Sequence, residues 1–96
     1  MNNRQLILSE IEAERQAQDR EHGGPAHDDT HTCNDWLAIL VRHLGLAGSD
    51  EAVIDPVRFR RQMIRVGALA VAIVESFDRK AGQPKVAGDY TPGSGF

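Results

Sequence analysis

The densest set of reactive side-chain types in the chain lies between residues 22 and 36. This stretch contains three histidines, three aspartates and a cysteine, and a Gly-Gly-Pro sequence stands near its start. Imidazole groups favour zinc and similar transition ions, whereas carboxylates favour magnesium or manganese. A connection between two helices needs only a few turn-forming residues, so we expect a binding or catalytic function here. The candidate ligand-binding residues of this loop are His27, Asp28, Asp29 and His31.

The same loop has a purely structural interpretation. Its spacing matches no standard zinc signature, and Cys33, the single cysteine of the chain, lacks a second thiol. Aspartate and histidine are frequent in turns and helix caps, where they bond to backbone groups. Under this interpretation the loop residues cap the second helix and hold the loop in place.

Four further acids could form a magnesium site between two helices. Two lie one turn apart on the side of the first predicted helix that is expected to face the core, and two share a face near the end of the last predicted helix. Together they could hold Mg²⁺ ions against a polyphosphate. The alternative is a set of simple salt bridges. The acids are Glu10, Glu14, Glu75 and Asp78, and the arginines considered as their partners are Arg4, Arg15 and Arg79.

A stripe of arginines indicates an anion-binding surface. Arg58, Arg61 and Arg65 follow i, i+3, i+7 spacing, which places them on one side of a helix. Arg42 and His43 of the preceding helix could join them. Guanidinium groups bind phosphate through two parallel hydrogen bonds, which favours a nucleotide or another phosphorylated small molecule. The alternative is a solvated basic face that offsets the acidic first helix.

Capping signals predict three principal helices that position these residues. The first is expected over about residues 3 to 22, where Gly-Gly-Pro ends it. A Thr-Cys-Asn-Asp sequence with the form of a capping box begins the second, over about residues 33 to 47. Asp-Pro begins the third, over about residues 56 to 80, and residues 50 to 54 form a short turn before it. The fold class is therefore all-α.

The third helix predicts assembly into a homo-oligomer. It is apolar all round over residues 66 to 74, so we expect it to be the central, fully buried helix. A monomer of three short helices can hardly surround it, and we expect at least a dimer formed through this helix. Its main apolar stripe consists of Phe59, Met63, Val66, Ala70, Ile73 and Phe77.

Size and composition limit the function classes. Ninety-six residues predict one domain, with a helical part over residues 1 to 82 and a flexible tail rich in proline and glycine over residues 83 to 96. The net charge of −3 argues against general nucleic-acid binding. A single cysteine suits a reducing compartment, and no signal peptide or membrane span is recognisable, so we expect a cytoplasmic protein.

Several segments of the chain resemble a group of small phage and prophage proteins. They are ERxxQD from Glu14, GGPxHDDxH from Gly23, the DW pair at Asp35, and VGALAVAxxExxDR from Val66. The resemblance covers about residues 4 to 80. This group in turn resembles the all-α nucleoside triphosphate pyrophosphohydrolases of the MazG type, which implies a MazG-like helical bundle completed by oligomerisation.

The resemblance to MazG-like enzymes has a consequence for catalysis. In those enzymes a Glu-Glu-x-x-Glu signature and a Glu-x-x-Asp signature bind magnesium, and the resemblance places Glu75 and Asp78 in the second one. Where the first is expected, this chain has Arg42-His43-Leu-Gly. A cationic pair cannot ligate Mg²⁺ as carboxylates do, but it can bind phosphate directly. The change preserves nucleotide recognition and undermines hydrolysis.

Two function classes follow, with a third left open. The first is a phage-type nucleotide-binding protein that sequesters a nucleotide messenger of antiphage defence, with Trp36 or Tyr90 stacking on the base. The second is a Mg²⁺-dependent nucleotide pyrophosphohydrolase that uses the four acids and the histidine-rich loop. The third is a helical adaptor that binds another protein.

Overall fold

The computed structural model describes residues 1–49, 54–81 and 92–93, and the described residues form helices without any strand. The all-α prediction is confirmed. The turn expected at residues 50 to 54 and the expected tail fall almost entirely outside the described residues. None of the helices that the structure describes has the length and apolar character needed to cross a membrane. The helices are α1 (Asn3–His22), α2 (Gly24–Asp28), α3 (Cys33–Ala47) and α4 (Pro56–Lys80).

Local capping explains where the long helices begin. The Asn2 side chain accepts a hydrogen bond from the Gln5 amide, and the Gln5 side chain accepts one from the Asn2 amide. Thr32 and Asp35 form the same reciprocal pair at the start of α3. The Asp55 carboxylate accepts from two amides of the first turn of α4. The predicted bounds of the three principal helices are confirmed because these signals are local.

The short helix α2 corrects the interpretation of Gly-Gly-Pro as a simple stop. Gly23 ends α1 in the left-handed conformation, with φ of 99°, and its amide donates to the Asp19 carbonyl. The next residue already begins α2, and Pro25 lies in its first turn. Proline is compatible with a first helical turn because its missing amide hydrogen has no partner there anyway. The chain therefore reverses through one further helical turn.

The apolar core lies between α3 and α4. Trp36, Leu69 and Ala72 form its buried centre, and Ile39, Leu40 and Ile73 pack against it. The two helices run in opposite directions: Lys80, at the end of α4, donates to the His31 carbonyl just before α3. Helices α1 and α2 pack against α4 of this antiparallel pair.

Helix α1 packs against α4 with little apolar burial of its own. The closest approach is at Gly67, where a Cβ atom would lie 3.1 Å from Ile11 Cδ1, so a side chain larger than hydrogen would force Ile11 aside. The one fully buried residue of α1 is Arg15, which is 7% exposed. Its apolar residues Ile7, Ile11 and Ala17 are only half-buried. Polar contacts therefore carry much of the attachment of α1.

Within the single chain, the segment of α4 that was predicted to be fully buried in an oligomer is only partly covered. Ala68, Leu69 and Ala72 are buried, but Val71 and Val74 are 42% and 57% exposed in the single chain. Because three helices cover only one side of α4, its opposite side stays open. Most of the predicted main stripe lies on that open side. This α4 stripe, namely Phe59, Met63, Val66, Ala70, Ile73 and Phe77, is exposed at four of its six positions and half-buried at Val66 and Ile73.

Candidate functional site

A buried arginine joins three helices beside the loop. The Arg15 guanidinium lies 3.0 Å from Asp19 Oδ1 and 3.1 Å from Glu75 Oε1. It also lies 3.6 Å from Asp28 Oδ2. Asp28 is itself buried, and that oxygen has no hydrogen-bond partner in the described part of the chain. Arg15 is therefore the counter-charge that makes burial of this carboxylate tolerable.

The second loop acid, Asp29, ties the loop to the end of α4. Its carboxylate accepts hydrogen bonds from Arg79 Nε and Nη2 at 2.8 to 3.1 Å. It also accepts one at 2.9 Å from the hydroxyl of Ser76, a fully buried side chain. The hydrogen bonds from Arg79, more than any other contact, lower the pKa of Asp29. The ionised carboxylate is thus part of the folded structure.

We predict that Asp29 makes stability depend on acidic pH. Its pKa in the folded protein lies below the ordinary value of 3.8, so the unfolded chain takes up the proton first. The contribution of the Asp29 carboxylate to the free energy of unfolding is fully present when the pH lies above this ordinary value. It is lost as the pH falls through the lower pKa of the folded protein. Asp29→Asn should therefore lower the melting temperature at neutral pH.

The difference between the Asp29→Asn variant and the natural protein should shrink as the pH falls below 3.8. Thermal melts followed by circular dichroism over a pH series measure it. Glu12→Gln, at an exposed position of α1, is the control and should follow the natural protein. An equal deficit in the Asp29 variant at every pH would contradict a role for the ionised carboxylate.

The loop histidines form a continuous series of ring contacts. The centroids of His22 and His27 are 6.1 Å apart, those of His27 and His31 5.1 Å, and those of His31 and Trp36 4.6 Å. The last two contacts are edge-to-face, an arrangement that aromatic rings prefer. The series begins at the exposed His22 at the end of α1 and ends at the core residue Trp36, against which His31 packs.

The structure separates the loop residues that the sequence grouped together. Asp28 and Asp29 bind different arginines, while His27 and His31 contact aromatic rings. Across the described residues, no three His, Cys, Asp or Glu side chains are grouped so that they could hold a metal ion. The capping interpretation holds for Thr32 and Asp35, whereas the two loop acids bridge to other helices. A ligand-binding role for the loop stays a prediction.

Three of the four acids proposed for magnesium face arginines. Glu10 lies 2.7 Å from Arg60 Nη1, and Glu14 lies 3.6 Å from Arg65 Nε. Glu75 contacts Arg15, one of the partners considered from the sequence. Asp78 is half-buried and forms no ion pair with any residue that the structure describes. A magnesium site built from these acids stays a prediction.

Arg42, His43 and Arg65, which we name the basic cluster, come together between α3 and α4. Burial lowers the pKa of His43, and the positive charges of Arg42 and Arg65 lower it further. The Nδ1 atom of His43 is buried without a hydrogen-bond partner in the described residues. Arg42 has no ion pair within the same residues. The cluster thus consists of two guanidinium groups beside a histidine whose neutral form is favoured, and Arg65 also contacts Gln62 and Glu14 of its own chain.

The other predicted phosphate and base contacts lie outside this cluster. Arg58 and Arg61 are exposed on α4, about two turns and about one turn before Arg65, respectively. Trp36 is a core residue, 6% exposed, and its position on α3 is about 10 Å from that of His43 along the helix axis. Stacking of Trp36 on a base stays a prediction, and Tyr90 lies outside the described residues. The loop and the basic cluster are therefore two separate regions.

The structure also shows a groove that sequence reasoning missed. It lies between the start of α3 and the end of α4, has a volume of about 200 Å³, and is lined mainly by apolar surface from Trp36, Leu37, Ile73 and Phe77. Lys80 contributes its side chain to the same groove. The sequence shows that Leu37 and Phe77 are large apolar residues on two different helices. Periodicity alone does not show that the fold brings them together.

Comparison with known proteins gives no match to a family model, to a curated protein or to a solved structure.

Proposed function

We propose that the protein binds a phosphorylated small molecule, in particular a nucleotide, at the basic cluster and holds it without cleaving it. The observation that supports this proposal is the convergence of Arg42, His43 and Arg65 from two helices. A phosphate group would supply acceptors for the guanidinium groups, of which that of Arg42 forms no ion pair in the described residues. The Glu14–Arg65 contact, at 3.6 Å, is loose enough for a phosphate to compete with it.

The non-catalytic part of the proposal rests on the acids. Hydrolysis by the MazG-like mechanism needs carboxylates free to bind magnesium, whereas Glu10, Glu14 and Glu75 are each engaged by an arginine. The cationic pair Arg42-His43 stands where the resemblance would require acids. Sequestration of a nucleotide messenger of antiphage defence, in the cytoplasm of a bacterial host, is the biological form of this proposal and depends on that resemblance.

The test is incubation of the purified protein with a panel of nucleoside triphosphates and cyclic dinucleotides in the presence of Mg²⁺. The retained ligand is released by denaturation and identified by chromatography. Recovery of unchanged nucleotide supports sequestration. Release of monophosphate and pyrophosphate would show the pyrophosphohydrolase instead, and retention of no member of the panel would overturn the nucleotide proposal.

We predict that Arg42→Ala and Arg65→Ala each weaken the binding of the retained nucleotide about tenfold or more. Each removes a charge-assisted hydrogen bond, a contribution of about 1.5–3 kcal/mol. Isothermal titration calorimetry measures the change. Arg20→Ala removes an exposed arginine of α1 and should leave the affinity unchanged. Unaltered affinity in both cluster variants would place the ligand elsewhere.

A further inference from the structure

The open side of α4 continues onto α3 as one apolar surface. Leu37, Val41 and Leu44 follow i, i+4, i+7 spacing on α3 and are 56%, 64% and 45% exposed. The groove lined by Leu37 and Phe77 shows that this row lies beside the α4 stripe. A soluble chain rarely leaves two adjacent apolar helix faces open, and such a surface marks an interface.

The order of side chains in the α4 stripe is symmetric about Ala68. Phe59 and Phe77 each lie nine residues from it, Met63 and Ile73 five, and Val66 and Ala70 two. Ala68 itself lies on the buried side of α4 and only marks the midpoint of the stripe along the helix axis. If two copies of α4 pack antiparallel through their open sides with these midpoints level, Phe59 meets Phe77, Met63 meets Ile73 and Val66 meets Ala70. Self-complementarity of this kind is the requirement for an interface with two-fold symmetry.

Charges along α4 favour the same orientation. The charged residues of its first half are all basic, at positions 58, 60, 61 and 65. Its second half carries the acids Glu75 and Asp78, followed by Arg79 and Lys80. Parallel pairing would set the two basic halves against each other. Arg60 and Asp78 are eighteen residues apart, which is five full turns, so they project on the same side of the helix. Antiparallel pairing therefore brings Arg60 of one copy, which also contacts Glu10 of its own chain, towards Asp78 of the other.

We propose that the α4 stripe is the interface of a symmetric homodimer in which the two α4 helices pack antiparallel, flanked by the exposed row of α3. The occupant of this surface is thus a second copy of the chain. Asp78, which forms no ion pair with a described residue of its own chain, gains a partner in the dimer. The homodimer does not depend on nucleotide binding at the basic cluster, so either proposal can fail without the other.

Light scattering coupled to size-exclusion chromatography tests the assembly. The natural protein should elute with the mass of a dimer. Ala70→Glu places an unpaired charge in the interface and should raise the dimer dissociation constant about 100-fold or more. Ala70 is exposed in the single chain, so the variant should stay helical by circular dichroism. Ala13→Glu, at an exposed position of α1, is the matched control and should remain a dimer.

Cysteine cross-linking tests the orientation. Cys33 is exposed and is first replaced by serine. In that background, Met63→Cys and Val74→Cys are made singly and together, because both positions are exposed and eleven residues apart, about 16 Å along α4. Antiparallel pairing sets each position opposite the other one. A short bis-maleimide should then join the double variant into covalent dimers and leave both single variants uncoupled.

The outcomes of these experiments are distinct. Strong cross-linking of either single variant would indicate parallel pairing and overturn the proposed orientation. A natural protein that scatters as a monomer at high concentration would overturn the homodimer altogether, whichever nucleotide it binds. A dimer that Ala70→Glu leaves intact would show that the interface lies on another surface.

Discussion

Replacement of Arg15 by methionine is expected to cost about 3–5 kcal/mol of unfolding free energy, because it leaves a buried carboxylate without its counter-charge. Asp28 is 8% exposed, and Arg15 is the cation beside it. Asp19 and Glu75 lose their partner in the same substitution. For a domain of this size such a loss lowers the melting temperature by about 12 °C or more.

The control for the Arg15 prediction lies on the same helix. Arg20→Ala removes an exposed arginine and should change stability by about 0.5 kcal/mol or less. The double variant Arg15→Met with Asp28→Asn replaces the buried charge by a neutral amide and should recover part of the loss. Denaturant titration of the three variants measures the effect. If the double variant is no more stable than Arg15→Met, the cost has another origin.

Trp36→Ala is the second substitution with a large expected effect, about 3–5 kcal/mol, because it empties the centre of the core between α3 and α4. The ring contacts Leu69 and Ala72 and also supports His31. Leu46→Ala, on the exposed side of α3, is the matched control and should cost about 0.5 kcal/mol.

Urea unfolding followed by circular dichroism compares the two α3 variants without relying on the single tryptophan of the chain as a probe. A cost for Trp36→Ala that does not exceed the cost for Leu46→Ala would show that the core lies elsewhere. The difference in unfolding free energy between the two variants therefore tests the role of Trp36 and also the packing of α3 against α4.

The sequence was informative where the determining contacts are local. The bounds of α1, α3 and α4 follow from capping groups within three residues of each helix start, and such pairs can be read directly along the chain. The sequence also predicted that Arg42 and His43 lie near the arginine stripe of α4, and of that stripe Arg65 is the arginine that acts on His43. The binding role of these residues stays a prediction. Helix α2 was missed because glycine and proline indicate a chain break as readily as a new first turn.

The contacts that the sequence did not reveal join distant parts of the chain. Glu10 and Arg60 are fifty residues apart, as are Asp29 and Arg79. Charge alone does not select among the many possible pairs, so Arg60 and Arg65 were not foreseen as partners of the acids of α1. The α4 stripe was recognised as apolar, but periodicity does not show which neighbour covers a face.

The attachment of α1 to α4 makes this helix sensitive to ionic strength in a way that the α3–α4 pair is not. Its cross-helix ion pairs are Glu10–Arg60, Glu14–Arg65 and Arg15–Glu75, of which the first two involve partly exposed guanidinium groups. Dissolved ions screen exposed pairs much more than buried ones, with a Debye length of about 8 Å at physiological salt. Added salt thus weakens the two outer ion pairs first, and α1 then stays attached through Arg15 and the packing of Ile11 against Gly67.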